Sequence, residues 1–179
     1  FRGGRRFVLF ESTFSMEGDR APIDAYARLD AELLVDDAHS AGLYPFEGRV
    51  LARVVTGGKA LGVAGAFVAG SRTLVELLLH KARPFVFTTA PPPAVAAALA
   101  EAIRVAQAEP WRRARVFAAA RRLRGALGLA GDEPIVPLLL GDARRAAAAA
   151  GALQEQGFDV RAARPPTVPE GRSRLRVVC

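Results

Sequence analysis

Short apolar runs, each followed by small or polar residues, recur along the first half of the chain. The runs cover residues 7–10, 33–35, 54–55 and 85–87. A short, continuous apolar run is typical of a strand that is buried on both faces of a sheet. Ligands of α/β proteins bind beyond the carboxyl ends of such strands, so the polar residues after each run are candidate site residues.

Helical patterns separate these predicted strands. A short helix is predicted over 23–32 after Pro22, a second from the N-cap Ser71 to about residue 80, and an alanine-rich third over 93–107. Because strands and helices alternate, the sequence predicts an α/β fold with a mostly parallel sheet.

The pattern changes after Glu109 and Pro110, which predicts a large domain over residues 1–109 and a small domain over 110–179. The second part has the outline of an α+β domain, with a helix over 111–128, a strand over 135–140, a helix over 143–156 and a strand over 175–178. The first of these helices has one apolar face, so its arginines are predicted to be solvated. No nucleic-acid recognition module or zinc spacing is present, and nucleic-acid binding is not predicted.

The composition is that of a folded globular protein: 51% of the residues are apolar and 24% are charged, with a net charge of +7. No apolar run is long enough to cross a bilayer. The single cysteine, Cys179, permits no internal disulfide, which favours a reducing compartment and predicts a cytoplasmic protein. The first residues include neither an initiator Met nor an apolar signal region, so we expect the chain to begin within a longer protein.

Lys59 is unusual among the basic residues. The chain has 25 Lys and Arg residues, and only Lys59 and Lys81 are lysines. Arg can replace Lys as a surface charge, but its guanidinium stays protonated and cannot form a Schiff base. Lys81 is predicted at a helix end, where the helix dipole favours a cation. Lys59 lies in a glycine-rich turn, where no such structural reason applies.

Two polar segments, taken alone, leave their roles open. Residues 36–39 (Asp-Asp-Ala-His) offer too few ligands for a metal site, and the alternative is that they cap the turn after a strand. Residues 56–59 (Thr-Gly-Gly-Lys) could bring backbone N–H groups close to a phosphate. They do not form a Walker loop, because Ala60 stands where Ser or Thr would bind magnesium.

Together, the two segments match the requirements of pyridoxal 5'-phosphate (PLP). This cofactor needs a lysine that forms an imine with its aldehyde, for which Lys59 is the candidate. It also needs a carboxylate, for which Asp36 is the candidate, to pair with the pyridine nitrogen and keep it protonated. The protonated ring then accepts electrons from a carbanion at the substrate's α-carbon. PLP is therefore the predicted cofactor, and no metal is predicted.

Five segments, in the same order, resemble the α-oxoamine synthase family of PLP enzymes. They are residues 11–19 (ESTFSMEGD), 35–42 (VDDAHSAG), 56–71 (TGGKALGVAGAFVAGS), 83–90 (RPFVFTTA) and 164–176 (RPPTVPEGRSRLR). The resemblance implies the second half of a PLP fold-type-I large domain, with a mostly parallel sheet and helices, followed by a small α+β domain. It also implies a homodimer with a shared active site.

The resemblance implies roles for individual residues. Lys59 would form the Schiff base and move the α-proton, and Asp36 would pair with the pyridine nitrogen. His39, which would also be a catalytic residue, and Ser15 would contact the phenolic oxygen of PLP. Thr56 would bind the PLP phosphate, and Thr88 or Thr89 would reach that phosphate across a dimer interface. In the substrate site, Arg176 would bind the carboxylate of the amino acid and Glu11 would lie near the substrate.

The implied reaction is the decarboxylative condensation of an amino acid with an acyl-CoA or an acyl-carrier thioester. The segments at 83–93 and 164–171 favour L-alanine and a pimeloyl thioester, and a glycine-using member of the family is the alternative. Relative to the family, the N-terminal half of the large domain is absent, and the stretches 22–35 and 42–56 are short. The alternative outside the enzymes is therefore a non-catalytic homologue that acts as an assembly partner.

Overall fold

The structure is a computed structural model that describes residues 4–179. It divides into two compact units, which are described separately below. The first comprises residues 4–14 and 20–112, and the second comprises residues 15–19 and 113–179. The division into domains at 109/110 stays a prediction.

A four-stranded sheet forms the centre of the first unit. Its strands lie side by side in chain order: β1 (Phe7–Glu11), β2 (Glu32–Asp36), β3 (Ala52–Thr56) and β4 (Ala66–Gly70). The pairs β1–β2 and β2–β3 are parallel, whereas β4 runs antiparallel to β3. The first three predicted strands are confirmed, and their carboxyl ends lie at one edge of the sheet.

The sheet of the first unit buries one set of alternating side chains. Leu33 and Val35 of β2 and Val55 of β3 are at most 3% exposed, whereas Leu9 of β1 is 71% exposed. Successive side chains of a strand point to opposite faces. The prediction that each run is buried on both faces is therefore wrong for β1.

Four helices belong wholly to the first unit: α1 (Ile23–Tyr26), α2 (Arg72–Lys81), α3 (Arg83–Val86) and α4 (Pro93–Ala108). The predicted N-cap is confirmed, because the Ser71 hydroxyl accepts a hydrogen bond from the Leu74 N–H at 3.2 Å. A further helix, α5 (Trp111–Ala126), begins in the first unit and continues into the second. No helix in the described part of the chain has the length and apolarity needed to span a membrane.

Two predicted elements of the first unit are wrong. The helix predicted over 23–32 is only the single turn of α1, because hydrogen-bonded turns lead directly into β2 at Glu32, whose N–H donates to the Arg6 carbonyl. The strand predicted over 85–87 is helical: the N–H groups of Phe85 and Val86 both donate to the Ala82 carbonyl. Proline near the start of this turn favours a helix over a strand.

A three-stranded antiparallel sheet forms the second unit. Its strands are β5 (Ile135–Gly141), β6 (Arg161–Ala163) and β7 (Ser173–Val178), in the order β5-β7-β6, with helix α6 (Ala143–Glu155) between β5 and β6 in the chain. The predicted strands and helix are confirmed, whereas β4 and β6 were not predicted. Residues 15–19 are part of this unit and pack closely against β5, since a Cβ on Gly18 would lie 2.5 Å from the Ile135 carbonyl oxygen.

Candidate active site

The turns that follow β2 and β3 bring two predicted site residues together. His39 follows β2 and Lys59 follows β3, and the two parallel strands end at the same edge of the sheet. Lys59 Nζ lies 2.9 Å from His39 Nε2, with the pair exposed to solvent. An amine and an imidazole in hydrogen-bond contact can hold and exchange a proton. This edge of the sheet is therefore the candidate active site.

Asp36, the last residue of β2, belongs to the same edge. Its Oδ1 accepts a hydrogen bond from the Ala38 N–H at 2.8 Å, which stabilises the turn. Within residues 4–179, the hydrogen bond of this carboxylate is made by Oδ1, which leaves Oδ2 able to accept another. Asp36 pairs in register with Glu11 of β1 and Val54 of β3, so these side chains emerge on one face.

Thr56 ends β3 two residues after Val54, and therefore projects from the same face as Asp36. Its side chain is half-buried. The hydroxyl is thus placed to contact a group that also contacts Asp36.

The tight turn after Thr56 requires glycine at position 57. A Cβ there would lie 2.3 Å from the Val63 carbonyl oxygen and 2.5 Å from Leu99 Cδ2. The Gly57 N–H donates to the Gly65 carbonyl at 2.8 Å, and the Val63 N–H donates to the Gly57 carbonyl at 2.9 Å. The Gly57 N–H therefore closes the turn, and a contact between the backbone of this loop and a phosphate stays a prediction.

A buried ion pair lies next to the exposed one. Asp37 Oδ2 accepts a hydrogen bond from Arg53 Nη1 at 2.9 Å, and the two side chains are 2% and 8% exposed. Neither residue was a predicted site residue. Arg53 could have been singled out in the sequence, because it is the charged residue within an otherwise apolar strand.

Three buried hydroxyl groups connect β1 to the turn after β2. The Ser40 Oγ lies 2.6 Å from Ser12 Oγ and 2.7 Å from Thr13 Oγ1, and all three residues are at most 4% exposed. The Ser12 N–H also donates to the Asp36 carbonyl at 2.9 Å. The sequence did not predict this network, since serine and threonine at strand ends are common in any fold.

Thr88 and Thr89 lie in the first unit, in the irregular segment between α3 and α4, and both are exposed. The neighbouring Phe85 and Phe87 are 55% and 75% exposed. This segment therefore presents two hydroxyl groups and two large apolar side chains to solvent.

Two further predicted site residues lie in the second unit. Arg176 of β7 is half-buried, and its Nε donates to the Ser15 carbonyl at 2.6 Å. Burial lowers the pKa of the Arg176 guanidinium from its ordinary value. Two residues earlier, the Arg174 side chain is 4% exposed and its Nη1 lies 2.7 Å from Glu17 Oε1. The same strand thus holds residues 15–17 through two arginines, of which only Arg176 was predicted.

Among the described residues, no group of three or more His, Cys, Asp or Glu side chains is placed to hold a metal ion.

The sequence matches the model of the aminotransferase class I and II family over residues 2–179, and the chain belongs to that family. It is 50% identical to the 8-amino-7-oxononanoate synthase of Anaeromyxobacter dehalogenans over 98% of this chain and 50% of that protein. It is 47% identical to the enzyme of the same name from Methylobacterium radiotolerans over 97% of this chain and 48% of that protein. The chain spans about half the length of the curated relatives it matches.

The match to the Anaeromyxobacter enzyme runs over 198 residues, whereas the chain has 179. That relative therefore carries residues without a counterpart here, whereas the match to the Methylobacterium radiotolerans enzyme runs over 179 residues.

Solved structures confirm the predicted fold class. The serine palmitoyltransferase of Sphingomonas wittichii superposes with a TM-score of 0.90 at 31% identity, over 98% of this chain and 50% of that one. The 8-amino-7-oxononanoate synthase of Francisella tularensis superposes with a TM-score of 0.81 at 28% identity, over 99% of this chain and 58% of that one. A structure of SPT with PLP superposes with a TM-score of 0.89 at 33% identity, over 96% of this chain and 49% of that one.

Proposed function

We propose that this chain is part of a PLP-dependent α-oxoamine synthase that acts as an 8-amino-7-oxononanoate synthase in biotin synthesis. The reaction would condense L-alanine with a pimeloyl thioester of CoA or of an acyl carrier protein, releasing carbon dioxide and the thiol. The observation that carries the proposal is the 2.9 Å contact between Lys59 Nζ and His39 Nε2 at the strand ends. The relatives named above and the cytoplasmic location inferred from cysteine usage agree with it.

The chemistry of the residues at these strand ends fits PLP. Lys59 supplies a primary amine that can hold the cofactor's aldehyde carbon. Asp36 Oδ2 is available to accept the pyridine N–H, and Thr56 would bind the phosphate. His39 and Ser15 would contact the phenolic oxygen. When bound, PLP supplies an electron sink for a carbanion at the substrate's α-carbon.

His39 orients the amine that would move the α-proton. We assign Lys59 Nζ as the donor and His39 Nε2 as the acceptor in their hydrogen bond, and this contact would set the orientation of the amine. An amine whose lone pair is oriented can accept a proton from a substrate carbon held beside it. Lys59 is therefore the proposed general base.

Arg176 is the proposed ligand of the substrate carboxylate. Its Nε already donates to the Ser15 carbonyl, so the guanidinium would offer its two Nη atoms to the carboxylate. Partial burial strengthens such a pair, since less water competes for the charges. Glu11 is the proposed substrate neighbour on the face that carries Asp36.

A homodimer with a shared active site is part of the proposal. Thr88 and Thr89 are exposed beside two exposed phenylalanines, as expected for a segment that packs on a partner subunit. We propose that these hydroxyls bind the phosphate of the neighbouring subunit. Mixing the Lys59→Ala chain with a Thr88→Val, Thr89→Val double variant should then restore activity in the heterodimer.

The cofactor assignment is tested by trapping PLP with borohydride and mapping the modified peptide by mass spectrometry. The chain offers a matched control, because Lys59 and Lys81 are its only lysines. We expect the modification on Lys59, its loss in Lys59→Ala and its retention in Lys81→Ala. Modification of Lys81 alone, or equal labelling of both lysines, would contradict the assignment.

The substrate assignment is tested by offering L-alanine or glycine with pimeloyl-CoA and identifying the product by mass. A product from alanine, with carbon dioxide and free CoA, supports the proposal. A product from glycine alone would favour a glycine-using member of the family. Absence of both products and of trapped cofactor would favour a non-catalytic assembly partner.

A further inference from the structure

Arg53 stands within β3 as a buried charge whose role the proposed function does not explain. Its residue is 7% exposed, and its Nη1 lies 2.9 Å from Oδ2 of Asp37, which is 1% exposed. The removal of two charges from water offsets much of their attraction, so a buried pair is weak evidence for a purely stabilising role. A positional role is a second physical reason to keep the pair.

The guanidinium of Arg53 joins two separate turns. One arm binds Asp37, and Nη2 donates to the carbonyl oxygens of Glu47 and Gly48, the latter at 3.4 Å. The Arg53 Cζ also lies 4.9 Å from the centroid of the Phe46 ring. Only a planar fork with several donors can make these contacts at once, so lysine would be an incomplete substitute.

Asp37 in turn holds the backbone of the turn that carries the site residues. Its N–H donates to the Val54 carbonyl at 2.8 Å, and its carbonyl accepts from the N–H groups of Ser40 and Ala41 at 3.0 and 2.9 Å. Asp37 lies between Asp36 and His39 in the sequence. A displacement of the Asp37 side chain would therefore move the segment on which both depend.

We propose that Arg53 is a positioning residue, which through Asp37 fixes the turn that presents Asp36 and His39 at the edge of the sheet. The inference rests on the proposed function for the identity of the ligand that these residues meet. The placement of His39 is a property of the chain alone and can be measured without cofactor.

The test uses two conservative variants and the imidazole NMR signals of the cofactor-free chain. Arg53→Lys keeps a positive charge opposite Asp37 but removes the fork, and Asp37→Asn keeps the shape but removes the charge. The chain has two histidines, so His80→Gln assigns the signals. Arg72→Lys is the matched control, because the Arg72 side chain is 93% exposed in the same unit.

We expect both test variants to fold, to shift the His39 signals and to leave the His80 signals in place, while the control shifts neither. Their affinity for PLP, measured by titration, should fall about tenfold, as expected when a positioned group moves by a fraction of an ångström. Unchanged His39 signals in a folded variant would overturn the inference. So would failure of both variants to fold, because the pair would then be a condition of folding rather than of positioning.

The two proposals fail in different ways. If the unmodified chain binds no PLP but Arg53→Lys shifts the His39 signals, the positioning role stands and the proposed function falls. If the unmodified chain binds PLP on Lys59 and the variants leave both His39 and affinity unchanged, the positioning role falls alone.

Discussion

Two pairs of polar side chains, each formed by residues in or after β2 and β3, differ in exposure. Lys59 and His39 meet in solvent, whereas Asp37 and Arg53 meet where neither side chain is more than 8% exposed. A ligand can reach the exposed pair, whereas the buried pair contacts only other groups of the protein. The turn after β2 thus carries His39 on the outside and Asp37 on the inside. We therefore expect substitutions in the buried pair to lower the free energy of unfolding more than substitutions in the exposed pair do.

The largest effect on stability is expected when the buried pair is broken. Arg53→Met leaves the Asp37 carboxylate without its partner, and an uncompensated buried charge costs about 3–5 kcal/mol. The free energy of unfolding from urea denaturation measures this loss. Arg72→Met, which removes an exposed charge, should change it by less than about 0.5 kcal/mol. Equal effects of the two substitutions would remove the distinction between the pairs.

A smaller loss is expected at the turn that carries Lys59. Gly57→Ala would force a methyl group to within 2.3 Å of the Val63 carbonyl oxygen, and overpacking of this kind costs about 1–3 kcal/mol. Gly58→Ala is the control, because a Cβ at that position meets nothing within 4 Å. Thermal unfolding of the two variants should rank Gly58→Ala close to the unmodified chain, and the reverse ranking would contradict the described turn.

The second unit provides a buried arginine with a more exposed partner. Arg174 is 4% exposed at the side chain, but Glu17 is 50% exposed, and Arg174 also donates to the carbonyls of Arg172 and Met16. Water and these carbonyls can compensate the arginine, so Glu17→Gln should cost only about 0.5 kcal/mol in urea denaturation. A loss as large as that of Arg53→Met would show that exposure of one partner does not decide the cost.

The smallest effect on stability is expected at the residue with the largest effect on chemistry. Lys59 is exposed and its contact with His39 lies in solvent, so Lys59→Ala should leave the free energy of unfolding unchanged within about 0.5 kcal/mol. The same variant should lose all trapped PLP. A strongly destabilised Lys59→Ala chain would instead assign the amine a structural role.

The sequence predicted the strands of the site better than the segments around them. The predicted runs within β1, β2 and β3 are apolar, and each is followed directly by polar residues. Phe85 and Phe87 carry the same apolar signal without a neighbouring strand, and local hydrogen bonds to Ala82 made that segment helical. A short apolar run therefore does not by itself define a strand, because a strand also needs a neighbour to pair with.

The supporting residues could not be derived in the same way. Lys59 and Asp36 have a chemistry that the composition and the motif make visible. The role of Arg53 depends on a contact with Asp37, sixteen positions away, and the role of Arg174 depends on a contact 157 positions away. Neither separation has a helical or strand periodicity, since such contacts depend on the tertiary fold. Local sequence patterns therefore identify the candidate reactive residues, but they do not identify the residues that hold those side chains in place.

The central claim is that one ring bridges Lys59 and Asp36, and a crystal structure of the PLP-loaded protein tests it most directly. We expect continuous electron density from Lys59 Nζ to the cofactor, with the pyridine nitrogen about 2.8 Å from Asp36 Oδ2, the distance of a charge-assisted hydrogen bond. Density that attaches PLP to another residue, or a pyridine nitrogen out of reach of Asp36, would contradict the account.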